Sequence, residues 1–278
     1  MTGPLRSLLV GYEGSERGDD AIALARALLT VADAEATVVV ATVHDGEQPP
    51  AATVDRARAR WPQLDRSAFR LRRAPSPADG LHELAVELDA DAIVVGASHR
   101  HGVGRVWPGS ATERTLHGAP CAVAVAPPGY AAVGGDGRRL ARIAVAFDGS
   151  ESSARGLDQA VALAQRDGAT VVLVNVVDVG IAPPLAFDLN TYLRERHGDA
   201  RAVLARGAES VAARAAVEQR QIEGQPAPAL VELSADFDLM AIGSRSRGAI
   251  RRTLLGEVTA QLVRRAACPV LVVPHAPA

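Results

Sequence analysis

The residues with most chemistry to offer fall in one stretch, Gly243-Ser244-Arg245-Ser246-Arg247-Gly248-Ala249-Ile250-Arg251-Arg252-Thr253-Leu254-Leu255-Gly256-Glu257-Val258-Thr259. Glycine lets a ligand approach the backbone, and a guanidinium grips phosphate or carboxylate through two parallel donors. Arg245, Arg247, Arg251 and Arg252 therefore read either as anion donors or as a solvated charged loop. A related stretch runs Gly96-Ala97-Ser98-His99-Arg100-His101-Gly102, then Trp107-Pro108-Gly109-Ser110-Ala111-Thr112. His99 and His101 flank Arg100, but a tetrahedral metal site needs further ligands that the sequence does not place, so they read as loop histidines.

Composition narrows the chemistry. All 30 basic residues are arginine and none is lysine. This removes a phosphate-binding loop of the Gly-Lys-Ser/Thr type, a Schiff-base lysine and a lysine-dependent kinase mechanism. A bound nucleotide would need backbone amides, hydroxyls and arginine for its phosphates. The net charge of −2 argues against a general nucleic-acid binder. Cys121 and Cys268 sit among small apolar residues and read as buried hydrophobes. No Ser-His-Asp arrangement, paired-carboxylate motif or metal cluster is visible. No run of 18 apolar residues occurs, and Met1 to Arg6 lacks the form of a signal peptide, so a cytoplasmic protein without membrane contact is expected.

The elements that must position these loops occur twice. Leu8 to Glu16 matches Ile143 to Glu151, Ala36 to Val39 matches Ala169 to Val172, and Asp91 to Gly96 matches Asp238 to Gly243. The last register continues to Cys121 and Cys268, then to Pro127 and Pro274. Strands are expected at Leu5 to Tyr12, Thr37 to Val43 and Ala92 to Val95, and again at Arg142 to Phe147, Thr170 to Val176 and Leu239 to Ile242. Ser15 and Ser150 read as N-caps, and Pro77 and Pro226 as helix openers. A further helix is expected from about Asp188 to Ala216, where the first copy is shorter and carries Pro49-Pro50 and Trp61-Pro62. Strands alternating with helices imply parallel crossovers, hence an α/β fold with two copies of a doubly wound five-stranded parallel-sheet domain. The division expected is residues 1–127, a Pro- and Gly-rich linker at 128–139, and residues 140–278.

In such sheets ligands bind beyond the strand carboxyl ends, where strand order reverses. Those ends carry Glu13 or Asp148, Val43 or Val176, and the two loops above. With its loop of glycines, its Asp148-Gly149-Ser150 and its Cys268-Pro269-Val270, the chain resembles the universal stress protein family in tandem form, over nearly its whole length. The family loop is Gly, two residues, Gly, nine residues, Gly, then Ser or Thr. The resemblance implies an adenine nucleotide alpha hydrolase-like fold. It also implies ATP held by Asp148 and the backbone at Val176, with Gly243, Gly256, Val258 and Thr259 framing ribose and phosphates beside Arg245 and Ser246. Mg2+ is the ion that would accompany ATP. A weaker second site would comprise Glu13, Val43, Gly96, Gly109, Ser110 and Thr112.

Both copies depart from the family loop. Ser246 stands at the second glycine and Glu257 at the Ser/Thr, where a carboxylate repels polyphosphate. In the first copy His99 replaces the glycine and Glu13 replaces the aspartate. Three readings follow: an ATP-binding stress-response regulator without rapid turnover, favouring the second copy; a scaffold of the same fold without nucleotide; and, ranked last, an adenine-nucleotide hydrolase. The short apolar segments Cys121 to Ala126 and Pro269 to Val273 are expected to pair as an intramolecular pseudo-dimer. The resemblance also makes a homodimer an open expectation.

Overall fold

A computed structural model describes residues 4–46, 51–97, 111–133, 138–180, 188–244 and 255–274. The first half contributes strands β1 (Ser7–Gly11), β2 (Thr37–His44), β3 (Phe69–Arg73), β4 (Ala92–Gly96) and β5 (Ala122–Ala126). The second contributes β6 (Arg142–Ala146), β7 (Thr170–Val177), β8 (Ala216–Glu223), β9 (Leu239–Gly243) and β10 (Val270–Val273). They form one ten-stranded sheet in the order β3-β2-β1-β4-β5-β10-β9-β6-β7-β8. Pairing within each half is parallel. The halves join through one antiparallel pair, β5 with β10, in the register Val123↔Val272, Ala124↔Leu271 and Val125↔Val270.

The helices are α1 (Glu16–Thr30), α2 (Ala51–Arg60), α3 (Pro77–Glu87), α4 (Ala111–Leu116), α5 (Glu151–Asp167), α6 (Leu189–Val211), α7 (Pro226–Leu233) and α8 (Glu257–Arg265). Their starts follow local chemistry. Ser15 accepts from the Arg17 amide, Ser150 from Ser153 and Asp188 from Thr191, which satisfies otherwise orphaned first-turn donors. Gly168 closes α5 in the left-handed conformation that glycine adopts without steric cost.

Successive strand residues face opposite sides, so the short apolar strands bury both faces. Leu8 and Val10 enter the core beneath α1, which continues across both halves through Ala124, Tyr130, Leu140 and Leu271. Leu9, Ile93 and Val95 enter the other core with residues of α3, α7 and α8. Each fully buried Leu or Ile removes enough apolar surface from water to contribute about 1.5–3 kcal/mol. Asp91 accepts from the amides of Arg6 (2.7 Å) and Ser7 (3.0 Å). Its counterpart Asp238 accepts from Ala141 and Arg142 at 3.0 Å each. These two carboxylates fix the entry to β1 and β6 in the same way.

One sequence expectation changes. The helix expected to Ala216 ends at Val211, because Ala216 already begins β8. Between Pro49-Pro50 and Trp61-Pro62 the first half forms α2, a helix the sequence had not marked; among its residues Ala57 is the one buried. The segment following β5 is also more than a spacer. The amides of Gly129 and Ala131 donate to Asp20 at 3.0 and 2.8 Å, and Tyr130 between them is buried.

Candidate functional site

In each half the strand order reverses beside the first strand, between β1 and β4 and between β6 and β9. Beyond the second of these reversals lies a cleft of about 740 Å3. This is the size and the position at which α/β sheets hold small ligands. Asp148, Val176, Gly243, Gly256, Val258 and Thr259, all singled out in the sequence, line it. Arg245 and Ser246 lie outside the described residues.

The cleft has three kinds of wall. Val174, Val176, Leu230, Ile242 and Pro226 make an apolar face. Asp148, at the end of β6, makes a polar edge; its Oδ1 accepts from the Ser150 amide at 3.0 Å and from the Ser150 hydroxyl. The third wall is the start of α8, where the N-cap is Gly256, which has no side chain to cap the helix. Backbone N–H groups at such a start carry the positive end of the helix dipole. Ser152, Ser153 and Asn175 also line the cleft, and the Asn175 amide donates to the Phe147 carbonyl at 2.8 Å. Sequence reasoning had not singled out Asn175. The signal available for it was its place two residues before the end of β7, on a strand otherwise apolar after Thr170.

The two glycines of the loop serve different ends. A Cβ on Gly243 would lie 1.7 Å from the Ser152 carbonyl oxygen, so glycine here lets α5 press against β9. Gly96 has the same role, with the Arg17 carbonyl oxygen 2.2 Å from such a Cβ. Close helix–strand contact requires glycine at both positions. Gly256 differs: a Cβ there would meet no described atom within 4 Å. Its φ of −67° is open to any residue, so nothing in the described fold demands glycine.

The equivalent residues of the first half are otherwise engaged. Glu13 accepts from the Ser15 hydroxyl and pairs with Arg17 Nε at 3.4 Å. The Thr112 hydroxyl, at the start of α4, donates to the Gly96 carbonyl at 2.9 Å. Val43 lies against Gly80, whose added Cβ would sit 2.6 Å from Val43 Cγ1. Gly109 and Ser110 lie outside the described residues, as do His99 and His101. Beside Glu13, the buried Tyr12 hydroxyl donates to Asp19 Oδ1 at 2.9 Å, and Asp19 Oδ2 pairs with Arg56 (3.0 Å) and Arg60 (2.8 Å). Burial, together with the Asp19 carboxylate, pushes the Tyr12 hydroxyl well above its ordinary pKa. Among the described residues no group of three or more His, Cys, Asp or Glu gathers that could hold a metal ion. No helix among them is long and apolar enough to cross a membrane.

The sequence profile of the universal stress protein family matches residues 4–127 and again 140–274. The chain belongs to the universal stress protein family. A universal stress protein of Mycobacterium tuberculosis (strain ATCC 25618 / H37Rv) is 35% identical over 144 residues, 49% of this chain and 48% of that relative. The chain thus spans about half the length of the first curated relatives it matches. Another universal stress protein of the same organism is 25% identical over 302 aligned residues, covering 96% of this chain and 99% of its own length. The solved universal stress protein of Archaeoglobus fulgidus covers 97% of this chain and 98% of its own at 16% identity, with a TM-score of 0.59. A universal stress protein solved in complex with cAMP is 28% identical across 49% of this chain and 97% of its own, with a TM-score of 0.39.

Proposed function

We propose that this universal stress protein binds an adenine nucleotide in the crevice of its second half and holds it without rapid turnover, so that occupancy regulates assembly or partner choice. The observation that carries the reading is the cleft of about 740 Å3 at the β6/β9 reversal, which unites an apolar face, a carboxylate and a helix start with glycine at its N-cap. The base would lie against Val174, Val176 and Leu230. Asp148 would accept from a ribose hydroxyl, and the first amides of α8 would receive phosphate. Gly256 leaves open the space that such a group would fill.

The described polar side chains of the cleft are the Asp148 and Glu257 carboxylates, the hydroxyls of Ser150, Ser152, Ser153 and Thr259, and the Asn175 amide. No histidine, cysteine or arginine is among the described residues lining the cleft. Any Mg2+ would arrive on the nucleotide's own phosphates. The first half, whose longer Glu13 stands in place of the aspartate, is assigned to assembly.

Native mass spectrometry of the purified chain, followed by ATP titration, tests the proposal. Carried-over nucleotide or saturable binding supports it. No adduct at millimolar nucleotide overturns it and leaves a scaffold of the same fold.

A further inference from the structure

We infer that Glu257 makes the second crevice select adenine ligands of low negative charge, adenosine or a monophosphate before a triphosphate. The inference rests on the nucleotide reading above and adds the ligand's charge to it. Two ionisable side chains are found among the described residues lining the cleft, Asp148 and Glu257, and both are acidic. They stand on different walls, one after β6 and the other on α8.

The place of Glu257 is what gives it leverage. It is the first residue of α8, directly after the N-cap Gly256, where an anion is stabilised by the helix dipole. The protein has thereby built into the helix start the negative charge that a bound phosphate would otherwise supply. Gln261 Nε2 donates to Glu257 Oε1 at 3.3 Å, which keeps the carboxylate on this helix. The basic residues of α8, Arg264 and Arg265, lie in its last turn. Arg264 is engaged there by Glu113 of α4, 2.6 Å from its Nε. Neither arginine lines the cleft.

A further unit of negative charge brought within about 4 Å of a carboxylate costs roughly fivefold in affinity in water-like surroundings, and more where water is excluded. A diphosphate or triphosphate tail leaving the crevice past α8 meets this repulsion, whereas adenosine does not. A monophosphate meets it once and still gains the helix amides.

Isothermal titration of the full chain with adenosine, AMP and ATP, without divalent cations, decides the matter. AMP should bind at least about fivefold more tightly than ATP. Glu257→Gln should strengthen ATP binding by about fivefold while leaving adenosine within about twofold. Glu257→Ser should act in the same direction, and an unchanged adenosine affinity in either variant shows that the crevice is intact. If ATP binds as well as AMP, or if neither variant changes their ratio, the charge selection is overturned, and the arginines at 245–252 outweigh Glu257. If none of the three ligands binds, the nucleotide reading itself falls, and this inference falls with it.

Discussion

At the carboxyl end of β1, Tyr12 gives its hydroxyl to Asp19, and Asp19 holds Arg56 and Arg60 of the helix that follows β2. At the same place beyond β6 stand Phe147 and Ala154. There the phenyl ring lies against Gly207 of α6, where an added Cβ would come within 2.6 Å of it. One fold thus docks its variable helix in two ways. In the first half a short, arginine-rich α2 is held by one buried carboxylate. In the second a long α6 is held by apolar contact, with Leu204 and Val211 fully in the core. Backbone topology leaves this choice open. The side chains at two positions after the strand decide it.

The largest expected effect tests what the halves share. Gly243→Ala places a methyl group against the Ser152 carbonyl, and the backbone must shift to relieve it. A loss of about 3 kcal/mol in urea unfolding is expected, with Gly96→Ala slightly less damaging because its contact is longer. If both unfold at the wild-type midpoint, these glycines do not set the helix–strand contact. Next comes the divergence. Asp19→Ala leaves a buried hydroxyl and two guanidiniums without their acceptor and should cost about 2 kcal/mol. Ala154→Ser at the matching position should stay within about 0.5 kcal/mol. Equal losses at the two positions would erase the contrast drawn above.

Smaller effects sharpen it. Asp91→Ala and Asp238→Ala each remove an acceptor shared by two strand-entry amides, and each should cost about 1–2 kcal/mol. Asp238→Ala should cost slightly more, since its carboxylate also pairs with Arg138 at 3.3 Å. The cysteines supply a pH test. Burial pushes both the Cys121 and the Cys268 thiol up to about 12. The unfolded thiol loses its proton near pH 8.5 while the folded one keeps it, so stability is full below that pH and falls as pH rises toward 12. Replacing one cysteine by alanine should remove about 1 kcal/mol of the stability loss between pH 9 and 10, read from urea curves at each pH. Glu113→Gln breaks the half-exposed link to Arg264 and should cost less than about 1 kcal/mol.

Much of this architecture can be read from the chain because its signals are local. The β-branched runs, the capping serines and the prolines at helix starts each declare an element within a few residues. The repeat then supplies the long-range order that a single copy would not. What escapes is whatever forms only across elements. Asn175, Leu230 and Ser152 come from β7, α7 and α5 and meet only at the cleft. The α2 helix hides because it buries a single alanine and is held by charge, so it carries no apolar stripe. The end of α6 hides because Val211-Ala212-Ala213-Arg214 contains no glycine or proline to mark the stop. At Gly243 and Gly96 a neighbouring helix demands glycine, a contact that no local signal announces.

The antiparallel junction of β5 with β10 has a last consequence. Two separate chains joined in this way would dissociate on dilution, and each residue at their two-fold axis would have to appear twice. Here the partner is tethered, so the junction forms at an effective concentration set by the connection and not by the amount of protein. Identity between the two sides is then no longer required. The Arg264–Glu113 link already exploits this freedom, since the reflected positions carry His117 and Ala260. A contact made once, between two unlike sides of a near-symmetric body, gives the molecule a direction.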